Sequence, residues 1–186
     1  MAIIARGQAF GRIYFDRYPD PLGYGKTPSR FSDPRNRVPN NRFGVLYLGE
    51  TLKVCFLEAV LRDLRNGVVG DYPIDEDELR CRIHAVIEVV TPLHLVDLRS
   101  DGLVRMGVPT DVARGSKQTL ARKWSVAFHD HPSTPDGIIY PSRLNGHTNI
   151  AIYDRAVPKL HAVSVLPLLR APRIGNVMTD LLVAVA

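Results

Sequence analysis

Glu58 stands in the middle of an apolar run, between Leu57 and Ala59, with Val54 and Leu61 about a turn away on either side. A carboxylate taken out of water costs several kcal/mol unless something pairs with it. Such a group either faces solvent, pairs with Arg62 at i+4, or is held in a pocket, where perturbed carboxylates do acid, base or electrostatic work. The residues alone leave these readings open. Ser142 follows a strand-like run in Tyr140-Pro141-Ser142-Arg143, and Tyr47 closes a second run. Their plain readings are a turn serine and a core aromatic. Arg30, Arg35, Arg37 and Arg42 gather in a segment rich in Pro and Asn. A guanidinium fork fits phosphate oxygens, so these arginines suit a phosphorylated small molecule.

Other patterns carry less. Gly25-Lys26-Thr27 imitates the end of a phosphate-binding loop, but Asp20 stands where that loop needs glycine and Pro28 follows at once, against a helix start there. No glycine-rich dinucleotide fingerprint follows a strand. His129 and His131 flank Asp130 near a helix end, and His84, His94, His147 and His161 are scattered. No further ligands sit at metal spacing, so no metal site is expected. Cys55 and Cys81 read as two buried free thiols, one in an apolar helix and one in a strand.

These residues need elements to place them. Short strands are expected at Ile13–Phe15 and Val45–Leu48, with irregular chain over Asp16–Arg42 between them. Ordered loops of that length are usually functional. Thr51 is suited to cap a helix over Leu52–Leu64. Gly67–Leu79 reads as loop. Cys81–Val90 and Leu93–Leu98 read as strands, Asp101–Met106 as a short helix and Ser116–His129 as an amphipathic helix. Gly137–Tyr140, Ile150–Tyr153 and Leu160–Leu168 are further strands, and Val177–Ala186 is ambiguous. The class is mixed α and β, and one domain over residues 1–186 is expected.

Hydrophobic residues make up 45% and charged residues 23%, the balance of a globular protein with a real core. No apolar run reaches the roughly 20 residues that span a bilayer. Met1–Phe10 is too short and interrupted for a signal peptide, and the apolar tail Leu181–Ala186 is expected to pack on the body. Two cysteines are too few for a secreted disulfide scaffold, so the cytoplasm is the expected compartment. The net charge of +5 permits nucleic-acid binding without requiring it.

Three blocks, in order over about residues 28–155, carry a family resemblance. They are Pro28-Ser29-Arg30-Phe31-Ser32-Asp33-Pro34; Val45-Leu46-Tyr47-Leu48-Gly49-Glu50 running through Cys55 to Glu58; and Asp136-Gly137-Ile138-Ile139-Tyr140-Pro141-Ser142-Arg143 with Asn149-Ile150-Ala151. Together the chain resembles the RES family, named for an Arg, a Glu and a Ser. The resemblance implies a fold like that of ADP-ribosyltransferase toxins, with a split β-sheet around an NAD cleft. It implies a toxin of a bacterial toxin–antitoxin pair, neutralised by a partner with an Xre-type helix-turn-helix. The implied activity is loss of NAD by hydrolysis or phosphorolysis.

Carried over residue by residue, the resemblance makes Glu58 the group that stabilises charge on the ribose. Arg30 would hold a phosphate, Tyr47 would pack on nicotinamide or ribose, and Ser142 would hydrogen-bond the nucleotide. NAD is then a substrate, with no separate cofactor. One departure stands out: many members carry a Tyr-Arg pair in the first strand, whereas Phe15 follows Tyr14 here. Arg12 or Arg17 is the substitute. Two rival readings remain: an ADP-ribosyltransferase acting on one protein, and a non-catalytic module for nucleotide or nucleic acid. Direct nucleic-acid contact is not expected, and a homodimer stays open.

Overall fold

The computed structural model describes residues 1–35, 38 and 41–186. Ten strands form among them: β1 (Ala2–Ile4), β2 (Ala9–Phe15), β3 (Val45–Gly49), β4 (Tyr72–Ile74), β5 (Arg82–Val89), β6 (Leu93–Asp97), β7 (Gly137–Pro141), β8 (Thr148–Tyr153), β9 (Leu160–Pro167) and β10 (Val183–Val185). Eight make one sheet in the order β1-β6-β7-β8-β3-β2-β5-β9, while β4 and β10 form a separate parallel pair. The α-helices are α1 (Leu52–Phe56), α2 (Glu76–Arg80), α3 (Gly102–Arg105), α4 (Asp111–Arg114), α5 (Thr119–His129) and α6 (Ile174–Asp180). None is long and apolar enough to cross a membrane.

The central strands are apolar without alternation because both faces are covered. Every residue of β7 is buried. Along β3 the period of two divides the side chains. Leu46 and Leu48 pack with Phe10, Ile87 and Ile150 on one face. Val45 joins Phe31, Phe128 and Tyr153 on the other, and Tyr47 packs against that cluster. Strands β6 and β7 are parallel, so a crossover must join them. Residues 98–136 supply it and carry α3, α4 and α5. Ala121 and Phe128 of α5 thereby reach the face that bears Val45.

The sheet nearly divides between β2 and β3, which pair only at Gly11 and Gly49. Helix α1 lies over this seam. A Cβ added at either glycine would come within 2.9 Å of Cys55 Sγ. Both glycines are therefore required by close approach, not by backbone angle. Thr51 caps α1, its side chain accepting from Val54 N–H. Val54 and Phe56 are buried beneath it, and full burial of such side chains contributes about 1.5–3 kcal/mol each.

Several expectations change. The helix expected to reach Leu64 stops at Leu61: its last turn, Leu57–Leu61, is a π turn closed by Arg62 N–H on Leu57 O at 2.7 Å. Arg62 then takes φ 43° and ψ −121°, which no helix can continue. The expected loop Gly67–Leu79 contains β4 and the start of α2. The ambiguous tail resolves into α6 and β10, with β10 laid along β4. Strand β2 begins four residues before the expected Ile13. Cys55 is buried, but Cys81 caps the C-terminus of α2 and is half-exposed. The expectation of two buried thiols thus holds only for Cys55.

Candidate active site

A cleft of about 610 Å3 opens at the seam. Its walls include Gly11 and Arg12 of β2, Tyr47 and Gly49 of β3, and Glu58 of the π turn. Arg30, Tyr140 and Asn149 also line it. Glu58 is half-buried on the cleft wall, and its carboxylate is not paired with Arg62. Its Oε1 accepts from Ser142 Oγ at 2.7 Å and Asn149 Nδ2 at 2.9 Å. Arg62 Nε donates instead to the Glu58 main-chain carbonyl at 3.0 Å. Ser142, just past the end of β7, and Asn149, on β8, are 2% and 4% exposed, so both donors are shielded from water. Glu58 Oε2 has no protein partner among the described residues. The widened π turn sets the direction from which Glu58 meets these donors, a use of π turns common at functional sites.

Ser142 stands behind Glu58 and does not line the cleft. Its hydroxyl accepts from Leu144 N–H at 3.1 Å, which leaves its single proton for Glu58. Asn149, which sequence reasoning gives no role of its own, holds Glu58 as directly as Ser142 does. The signal was there: a polar residue at the head of an apolar strand.

Tyr47 does more than fill core. Its hydroxyl accepts from Phe31 N–H at 2.8 Å and shares a hydrogen bond with Ser29 Oγ at 2.9 Å. Burial pushes its phenol pKa up, with Ser29 acting in the opposite direction. Helix α5 grips the same segment, through Arg122 Nε on Ser29 O at 2.9 Å and Ser125 Oγ on Phe31 O at 2.7 Å. Arg30 is thus presented by chain held from two sides. Its Nη1 donates to Gly115 O at 2.8 Å, and its remaining N–H groups have no partner among the described residues.

Of the two first-strand candidates, Arg12 and Arg17, only Arg12 faces the cleft. It lines the cleft, donates from Nη1 to Pro21 O at 2.6 Å and lies 5.0 Å from the Tyr14 ring. Burial lowers its pKa, with Tyr14 and Asp20 opposing. Arg17 instead stacks on Phe15 and Tyr18, outside the cleft. Among the other clustered arginines, Arg35 is tied to Asp33 and Asp130 at 2.7 and 2.8 Å. Arg42 is not on the cleft wall, and Arg37 lies outside the described residues.

Gly25 pairs with Val45 in a β-bridge, which removes Gly25-Lys26-Thr27 from any strand–loop–helix context. His129 stacks on Phe43 at 4.2 Å and bonds Asp130 at 2.7 Å. No group of His, Cys, Asp or Glu among the described residues is placed to hold a metal. The cleft carries four arginines (Arg12, Arg30, Arg62 and Arg143) against Glu58 and Asp63. That surplus of positive charge around one oriented carboxylate suits a ligand with phosphates at one end and developing positive charge at the other.

The chain is 49% identical over 109 residues to a protein of Sinorhizobium fredii named "Probable toxin y4kH", covering 59% of this chain and 86% of that one. Its fold is similar to a chain in the crystal structure of the M. tuberculosis MbcT–MbcA toxin–antitoxin complex, with a TM-score of 0.62 at 17% identity. The match covers 89% of this chain and 86% of that one. The RES domain model matches residues 9–174. That span takes in the seam, the π turn and all the donors around Glu58, and the protein belongs to the RES domain family.

Proposed function

We propose that this protein is a toxin-like enzyme that breaks the nicotinamide–ribose bond of NAD and so depletes it, by hydrolysis or phosphorolysis. The observation that carries the reading is the Glu58 carboxylate. It is fixed through one oxygen by Ser142 and Asn149, in a cleft whose other charges are mainly arginines. As the bond breaks, its electron pair passes to the nicotinamide nitrogen and quenches the pyridinium charge. Positive charge then grows on the ribose, as in glycoside cleavage. A pre-oriented carboxylate stabilises that charge without having to reorganise. Arg12 and Arg30 hold the diphosphate, and Tyr47 lies against nicotinamide or ribose. Water or inorganic phosphate then adds to the ribose carbon and gives up a proton. NAD is a substrate throughout.

The named toxin relative and the toxin–antitoxin fold neighbour support a toxin with an antitoxin partner, and the reading extends to an antitoxin of the Xre helix-turn-helix type and to action in the cytoplasm. The test is chromatography of NAD incubated with the protein, with and without phosphate. Release of nicotinamide is expected, with ADP-ribose or its 1″-phosphate as the second product. Glu58→Gln keeps the shape and removes the charge, so kcat should fall by about 10²–10³ while the melting curve stays two-state. Near-normal turnover by Glu58→Gln would remove Glu58 from this role. Intact NAD with label appearing on a protein would point to a specific transferase.

A further inference from the structure

The four cleft arginines are not held alike. Arg12 donates to Pro21 O, Arg30 to Gly115 O and Arg62 to Glu58 O, all main-chain carbonyls. Arg143 is held by a carboxylate: its Nη2 lies 2.6 Å from Asp63 Oδ1. The pair spans the cleft wall between two catalytic segments. Arg143 directly follows Ser142, and Asp63 comes two residues after the π turn that carries Glu58. Both side chains line the cleft and both are substantially exposed, at 35% and 55%. An exposed pair is screened by water and exchanges readily. A carboxylate and a phosphate also present the same oxygen geometry to a guanidinium.

We propose that Asp63 stands in for a phosphate: it holds Arg143 at the cleft wall while the cleft is empty and yields it to the diphosphate of the entering nucleotide. Arg143 is then a phosphate-binding residue, and Asp63 is its built-in competitor. The inference rests on the proposed nucleotide ligand. The Arg143 hydrogen bond is also what holds the Asp63 carboxyl below the usual range, so Asp63 is charged and competing at neutral pH.

The two partners should act in opposite directions, which a merely structural clasp would not produce. The probe is ADP-ribose, which has no nicotinamide bond to break, titrated calorimetrically at low salt. Arg143→Gln should weaken binding about tenfold, the loss of one charge-assisted contact. Asp63→Asn should tighten it several-fold. In the double variant the Asp63→Asn gain should vanish, because the two residues act on one contact. Circular dichroism melts check that each variant is folded. Weaker or unchanged binding by folded Asp63→Asn overturns the proposal, as does a wild-type protein that binds no ADP-ribose. If wild type releases nicotinamide but Asp63→Asn does not tighten binding, this inference fails alone. If wild type binds ADP-ribose with the opposed effects but never cleaves NAD, the proposed activity fails and the competition stands.

Discussion

Glu58 owes its orientation to two residues more than 80 positions away in the chain. Both donors act on the same oxygen, so loss of either lets the carboxylate swing. Asn149→Ala should lower kcat by about tenfold to a hundredfold, the usual cost of misplacing a reacting group by a fraction of an ångström to an ångström. Steady-state kinetics of nicotinamide release would show it, and a kcat within twofold of wild type would mean that Ser142 alone suffices. Ser142→Ala removes a donor from Glu58 and an acceptor from Leu144 N–H. It should also cost about 0.5–1.5 kcal/mol of stability for each hydrogen bond lost, since both partners are only partly buried. Denaturant titration reads that loss. The types Arg30, Tyr47, Glu58 and Ser142 were legible in the sequence, through blocks in a recognisable order. What they touch was not: Tyr47 holds the segment that presents Arg30, and Ser142 holds Glu58.

Helix α1 and its π turn are the element that makes the site. Thr51 starts the helix as its sequence suggests. Its end is not legible in the sequence, because Leu64 keeps the apolar spacing past Leu61 and hydrophobic pattern does not distinguish an α turn from a π turn. The glycines of the seam set how deeply α1 sits. Gly49→Ala would place a Cβ 2.9 Å from Cys55 Sγ and 3.0 Å from Val54 Cγ1. Overpacking of this kind costs about 1–3 kcal/mol, and it would lift Glu58 from its donors as well. The denaturation midpoint should drop, and Cys55→Ala in the same chain should restore part of it. No recovery would locate the strain elsewhere. The pair β4 and β10 escaped sequence reading for a different reason. Each is three residues long, and their pairing joins segments more than 100 positions apart.

Across the whole molecule, the seam where the sheet nearly parts is both the cleft and a weak point. His84 lies there, on β5 opposite Ile13 of β2. It is 7% exposed, with Nε2 lacking a hydrogen-bond partner among the described residues, and burial lowers its pKa. The neutral ring therefore folds better than the charged one. As pH falls through the unfolded value of about 6.5, the unfolded chain takes up the proton first. Stability is then lost progressively down to the folded pKa. Melting temperatures between pH 8 and pH 5 should decline for wild type and less steeply for His84→Leu. Equal slopes would show that other groups set the pH dependence in that range.

The sequence by itself determined the mixed class, the central strands and the capped helix. These follow from local composition, run length and motif order, which neighbouring residues express without help from distant ones. Only the tertiary structure decided which face Glu58 presents, which arginines line the cleft and where Ser142 stands. Those outcomes depend on strands meeting at a single glycine pair, on a long crossover returning α5 over β3, and on a helix ending in a π turn. Each is a contact between residues far apart in the chain, and no local pattern encodes that distance.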